Sequence, residues 1–99
     1  MPTHTILNRR TGTVTGGAPV RLKSIHRQRS GIELHNSSTS APLWVAAVPA
    51  SAASPDLSAG NRDFLIGPGQ TLLAGYGPEV DVILQSASAS LTYVLKEVG

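Results

Sequence analysis

Three histidines, His4, His26 and His35, are the residues whose types would first suggest a metal site or acid–base catalysis. Glu33 and His35 lie two residues apart, so on a β-strand they would share one face, which is a geometry that could bind a metal. A catalytic metal site would need further histidine and glutamate ligands, and the sequence offers no such cluster. We therefore interpret Glu33 and His35 as a solvated strand face, and we expect no metal and no cofactor.

Serine is abundant, but no motif that activates a nucleophile is present. The sequence contains neither a Gly-x-Ser-x-Gly elbow nor a Ser-x-x-Lys pair. Cysteine is absent, which excludes cysteine nucleophiles, disulfides and thiolate zinc sites. The Gly67-Pro68-Gly69 stretch lacks the Gly-Lys-Ser and the helix of a phosphate-binding loop. We expect that the protein is not an enzyme.

The basic residues are concentrated in the first half of the chain. Residues 1–49 contain six Arg and Lys against Glu33 alone, a net +5, and residues 50–99 contain two against five acidic residues, a net −3. One subunit's basic region could meet another's acidic region, or folding could interleave the two halves. The basic run at 21–29 has no interleaved aromatic side chains on which bases would stack, so it favours a solvated or protein-facing basic surface over a nucleic-acid site.

Alternation of apolar and polar residues predicts the fold class. In 31–36, 80–85 and 90–97 every second residue is apolar, as a half-buried strand requires, and helical spacing is nearly absent. We predict one all-β domain over residues 1–99, an antiparallel sandwich or jelly-roll-like fold of about eight short strands. The predicted strand segments are 3–8, 12–15, 19–24, 31–36, 43–48, 62–66, 71–75, 80–85 and 90–97.

Glycine and proline mark the predicted turns. Gly16-Gly17 suits a tight hairpin, and residues 67–70 (GPGQ) suit a type II turn. The Ala- and Ser-rich stretch 46–60 is interrupted by prolines, so we predict at most one helical turn near 54–60, with Ser54 as its cap and Gly60 as its stop.

No stretch reaches the roughly 20 apolar residues of a membrane helix, and the start lacks signal-peptide features, so we expect a soluble protein.

Apolar residues occupy both faces of the strand at 43–48. Trp44, Ala46 and Val48 point away from Leu43 and Val45. Such a strand is covered either by another subunit or by the protein's own 49–60 loop, and tryptophan is common at the centre of interfaces. Ile83 and Val94 break otherwise polar faces in the same way. The candidate protein interface is therefore Trp44, Val48, Ile83, Val94, Arg21, Lys23, Arg27 and Arg29.

Residues 1–17 are mostly polar and rich in threonine, which favours extended backbone. This composition predicts either an N-terminal arm that adds a strand to a neighbour's sheet or the first hairpin of the domain itself.

Five segments occur in a recognisable order: 19–22 (PVRL), 32–36 (IELHN), 43–46 (LWVA), 67–72 (GPGQTL) and 91–94 (LTYV). This order resembles small β-sandwich virion proteins of tailed bacteriophages. In those proteins a strand ending in Asn leads to a "plyVa" strand, then to an "L-x-PG-x-x" turn, and the chain closes on a "vsylv" strand. The resemblance spans roughly residues 19–96. The 49–60 loop and the Arg-rich segment 21–29 are not part of the pattern and leave the virion position open.

The resemblance implies a capsid decoration or cement protein that binds neighbouring major capsid subunits, present as a homo-oligomer or in many copies on a symmetric shell. It implies a location on the virion surface after synthesis in the host cytoplasm. Trp44 would supply apolar contact and the basic segment would meet acidic capsid surface. A head-to-tail connector or tail component is the first alternative. A carbohydrate- or ligand-binding β module, for which Trp44 and Tyr76 would be the aromatic platforms, is the second.

Overall fold

The alternating segments of the sequence form strands. The computed structural model describes residues 5–87 and 90–99, and within them the chain forms eight strands and one short 3-10 helix. The strands are β1 (Ile6–Thr15), β2 (Val20–Leu22), β3 (Gly31–Asn36), β4 (Leu43–Pro49), β5 (Phe64–Ile66), β6 (Thr71–Ala74), β7 (Val80–Gln85) and β8 (Ser90–Val98). The 3-10 helix, Leu57–Ala59, lies between β4 and β5.

The eight strands pair as if the chain formed one long antiparallel hairpin that is folded over into two sheets. β1 pairs with β8, β2 with β7, β3 with β6 and β4 with β5, all antiparallel. Rolling brings β3 against β8 and β4 against β7, which gives a first sheet of order β1-β8-β3-β6 and a second sheet of order β2-β7-β4-β5. This is the strand order of a jelly roll. The predicted antiparallel β-sandwich of about eight strands is confirmed.

The core lies between the inner faces of the two sheets. Leu34 and Leu95 contribute to it from the first sheet, and Val45 and Leu84 from the second, all without exposed surface. Asn36 is a polar member of this interior. Its amide Nδ2 donates to the carbonyl oxygens of Ala41 and Ile66, which connects the end of β3 to the second sheet.

The first strand differs from both predictions for the N-terminal segment. Ile6–Thr15 is a single strand that pairs with β8 of its own sheet, where an arm or a first hairpin was expected. Gly12 does not break it, because the Tyr93 ring lies over Gly12 and occupies the space of a side chain. Gly17 adopts the expected positive φ of 78°, but the strands that it joins, β1 and β2, lie in different sheets. Residues 1–4 of the predicted arm lie outside the described residues.

The other predicted turns occur where expected. Gly69 has a φ of 73° and the Gln70 amide donates to the Gly67 carbonyl, as a type II turn requires, although β5 and β6 also belong to different sheets. The helical turn ends at Gly60 as predicted, but Asp56 caps it in place of Ser54. Among the described residues, none of the helical structure has the length and hydrophobicity of a membrane-spanning helix.

Candidate protein-interaction surface

A buried carboxylate holds the segment between β2 and β3, residues 23–30, which we call the β2–β3 loop. Glu97 lies near the end of β8 on the same face as Tyr93 and Leu95, and its side chain is fully buried. Each of its oxygens accepts three hydrogen bonds. The donors to Oε1 are Asn8 Nδ2 (2.7 Å), Arg10 Nη2 (3.3 Å) and the Ile25 amide (3.1 Å), and those to Oε2 are Ser24 Oγ (3.0 Å), the His26 amide (3.4 Å) and Arg29 Nη1 (3.2 Å).

Arg29 is the buried counter-ion of Glu97. Its Nη2 also donates to the carbonyl oxygens of Gly77 (2.7 Å) and Val80 (2.8 Å). The ion pair therefore connects the β2–β3 loop, β8 and the start of β7. Because a buried charge is costly to desolvate, such a pair is tolerated only when its hydrogen-bonding groups are largely satisfied. Glu97 meets this condition, because both of its carboxylate oxygens accept hydrogen bonds from the protein itself. We call Glu97 together with its donors the buried clamp, since it holds the β2–β3 loop in place.

The environment of Glu97 favours its ionised form. Burial alone would raise the pKa of this carboxyl, but hydrogen bonds from Asn8, the Ile25 amide, Ser24 and the His26 amide outweigh burial and hold the pKa below its usual value. The clamp is therefore charged at neutral pH.

Acid should remove the contribution of Glu97 to stability. A carboxylate whose pKa is lowered by folding stabilises the native state above its unfolded-state pKa of about 4.3, and this stabilisation disappears as the pH falls through the lower folded-state value. We expect the difference in free energy of unfolding between the wild type and Glu97→Gln to shrink below about pH 4. Urea titrations at neutral pH and near pH 3 measure this difference. A difference in free energy of unfolding that does not change with pH would contradict the claim that ionised Glu97 stabilises the fold.

The outward side of the β2–β3 loop carries a different set of side chains. Ser24 and His26 are half-buried against the sandwich, whereas Ile25 is 65% exposed. The Lys23 side chain is 74% exposed, and Arg27 is also exposed. The loop thus presents one large apolar side chain flanked by two cations. Sequence reasoning included Lys23 and Arg27 in the candidate interface but omitted Ile25, because a single isoleucine among charged residues gives no periodic signal.

The structure places three predicted interface residues on the outer face of the second sheet. Ile83 is fully buried there beneath Leu57 of the 3-10 helix, while Trp44 and Val48 are half-buried at the margin of the same cluster. The 49–60 segment is therefore the cover of this face, one of the two alternatives left open by the sequence. Ile83 has no surface to offer a partner, which removes it from the candidate interface.

Arg21 and Gln85 fix the covering segment in place. Arg21 Nε donates to Asp81 Oδ2 (2.7 Å), and its two terminal nitrogens donate to the carbonyl oxygens at 49, 50 and 52 and to Ser54 Oγ. Gln85 accepts from the Leu57 amide and donates to Asp56 Oδ1. Arg21 is thus committed to the protein's own loop, and the fully buried Arg29 is likewise removed from the candidate interface.

Val94 lies on the opposite side of the molecule, on the outer face of the first sheet. It forms part of a groove of about 280 Å³ whose other lining residues are Arg9, Glu33, His35, Thr71 and Lys96. Glu33 and His35 share this face, as predicted from their spacing, and His35 Nδ1 is 2.8 Å from Thr71 Oγ1. The eight predicted interface residues are therefore divided among the two sheets and the β2–β3 loop and do not form one surface.

Folding interleaves the two oppositely charged halves of the sequence. Arg10 and Arg29 bind Glu97, and Arg21 and Lys23 bind Asp81, so four of the six basic residues in the first half are paired with acidic residues of the second half. Of the two alternatives for the charge asymmetry, interleaving is what the structure shows.

Edge strand β5 carries exposed apolar side chains that the sequence did not single out. Phe64 is 41% exposed and Leu65 is 57% exposed. Leu65 is the cross-strand neighbour of Trp44, and the Arg62 guanidinium lies 4.6 Å from the centre of the Trp44 ring. We call Trp44 and Leu65 the β5 patch. Phe64 pairs with the buried Val45 and so lies on the opposite face of the strand, where its ring centre is 6.3 Å from that of Tyr76.

The strand order and these surfaces define the class of the protein: an antiparallel jelly-roll sandwich with an apolar patch on one edge of its second sheet and a hydrogen-bonded basic loop following the other edge strand, β2. Comparison with protein-family models, with curated proteins and with solved structures finds no match to this chain.

Proposed function

We propose that the protein is a non-enzymatic subunit of a tailed-phage virion that binds the outside of the capsid shell as a decoration or cement protein. Its partners are neighbouring major capsid subunits, and it is present in many copies on the virion. The resemblance of five ordered sequence segments to small virion β-sandwich proteins supports this proposal. The jelly roll is compatible with it, since capsid domains use that fold, although a fold alone does not define a function.

The β5 patch is the observation that carries the proposal. Large apolar side chains exposed beside one another on a small domain mark contact sites for other proteins. Leu65 lies on an edge strand beside Trp44, whose ring lies 4.6 Å from the Arg62 guanidinium, and tryptophan and arginine are the residue types that most often dominate binding energy. An exposed leucine beside a tryptophan and an arginine suits a protein whose function is to bind other proteins.

Replacing Leu65 with glutamate should remove the protein from particles. Wild-type chain should copurify with intact virions in a fixed ratio to the major shell subunit, and Leu65→Glu should bind purified shells at least about tenfold more weakly, because it places a charge in the apolar contact. The matched control is Leu73→Glu, since Leu73 is 54% exposed on an edge strand of the other sheet. Quantitative mass spectrometry of gradient-purified particles, with shell co-sedimentation, measures both.

Equal loss of binding in the two leucine variants would refute the β5 patch as the contact. Failure of the wild type to associate with particles would refute the virion role itself. A copy number of only a few chains per particle would favour the alternative position, at the head-to-tail connector or in the tail.

The groove on the first sheet supports a second candidate function, binding of a small polar ligand such as a saccharide with an acidic group. Arg9 and Lys96 supply positive charge, while Glu33, His35 and Thr71 supply hydrogen-bonding groups. The two candidates use different residues. Exchanging Arg9 and Lys96 for glutamate would abolish ligand binding under the second and leave shell binding unchanged under the first.

A further inference from the structure

We infer that the β2–β3 loop is a second contact site, which docks on an acidic surface of a shell subunit with Ile25 as its apolar anchor. This inference rests on the proposed function and identifies the chemistry of one of the two surfaces that a bridging protein needs.

The outward side chains of the loop define that chemistry. Ile25 lies between Lys23 and Arg27 in the sequence, and all three side chains are exposed, although Lys23 Nζ is 3.9 Å from Asp81 Oδ2. A complementary site would therefore combine an apolar depression with surrounding carboxylates. Complementary charge of this kind accelerates association and fixes orientation, while a buried aliphatic side chain supplies affinity.

Hydrogen bonds from the protein itself hold the loop in its conformation. Glu97 binds the backbone amides of Ile25 and His26, the two residues at the centre of the loop. Inside the loop, the Arg29 amide donates to the His26 carbonyl oxygen. Because this conformation exists before binding, docking avoids much of the entropy loss that a flexible loop would suffer. The buried clamp thus acts as a positioning device for Ile25.

The two contacts lie on different sides of the sandwich. The β2–β3 loop begins at β2, which is one edge of the second sheet, and the β5 patch lies on the opposite edge. A protein with adhesive surfaces on two edges can hold two neighbouring subunits at once, and linked contacts bind more strongly than either alone.

Charge reversal in the loop tests the inference. Lys23→Glu combined with Arg27→Glu should weaken binding to purified shells lacking the chain by at least about tenfold, and so should Ile25→Ser alone. The matched controls are Arg9→Glu combined with Lys96→Glu, which makes the same change in net charge on the first sheet, and Ile6→Ser, since Ile6 is 48% exposed. Circular dichroism and thermal melting establish that each variant is folded.

The outcomes distinguish failure of the loop contact from failure of the proposed virion function. Wild-type binding that weakens between about 50 and 300 mM salt, with loss of binding in the loop variants and none in their matched controls, supports the inference. Loop variants that bind like wild type while Leu65→Glu does not would overturn the loop and leave the virion role intact. Wild-type protein that ignores shells but binds duplex DNA, or vesicles containing about one-third phosphatidylserine, would overturn both.

Discussion

Glu97→Gln should lower the free energy of unfolding by about 3–5 kcal/mol at neutral pH. The substitution preserves the shape of the side chain but leaves the fully buried guanidinium of Arg29 without its counter-ion. It also places an amide group with two N–H donors where the carboxylate accepts from Asn8 Nδ2, the Ile25 amide and Arg29 Nη1. Small domains are stable by only about 5–15 kcal/mol, so this loss is a large part of the total.

Urea unfolding followed by circular dichroism measures the change, with the midpoint and the slope compared to wild type. The matched control is Glu33→Gln, because Glu33 makes none of the ion pairs found among the described residues and should change stability by less than about 0.5 kcal/mol. A loss below about 1 kcal/mol for Glu97→Gln would show that the buried cluster does not hold the β2–β3 loop.

Leu57→Ala should cost about 2–5 kcal/mol and expose the outer face of the second sheet. Leu57 is fully buried against Ala46 and Ile83 and is the main apolar attachment of the 49–60 segment. Trp44 borders this cluster and is the only tryptophan in the sequence. Its fluorescence therefore reports directly on whether the 49–60 segment covers the outer face of the second sheet. We expect its emission in the native variant to shift to longer wavelength as water reaches the ring.

Leu73→Ala is the control for this variant, since Leu73 is largely exposed on the other sheet and should leave both stability and fluorescence almost unchanged. Unaltered Trp44 emission in Leu57→Ala, together with wild-type stability, would mean that the 49–60 segment is not the cover of this face.

The strand positions could be predicted because alternation is a local property. β3, β7 and β8 begin where the pattern of apolar residues places them, and the turn at 67–70 follows from proline and glycine chemistry. Strand pairing could not be predicted in this way. Gly16-Gly17 has the chemistry of a hairpin, yet it connects two sheets, because the residues that pair with β1 and β2 lie from 60 (Leu22 to Val82) to 92 (Ile6 to Val98) positions further along the chain.

The candidate site was less accessible to sequence reasoning for the same reason. Apolar residues on both faces of β4 correctly indicated a covered strand, but the identity of the cover depends on contacts of Leu57 with distant residues. Arg27 and Arg29 look equivalent in sequence, although one is exposed and the other is buried beside Glu97. The signal for Glu97 was present, since it continues the buried face of Tyr93 and Leu95, and a carboxylate on that face requires buried partners.

A cryo-electron-microscopy map of particles that contain the chain tests the central claim most directly. A map that orients the sandwich on the shell should show the β2–β3 loop and the β5 patch each in contact with a shell subunit, with acidic residues facing Lys23 and Arg27. Density in which the outer face of the first sheet lies on the shell, while the loop points into solvent, would contradict the account.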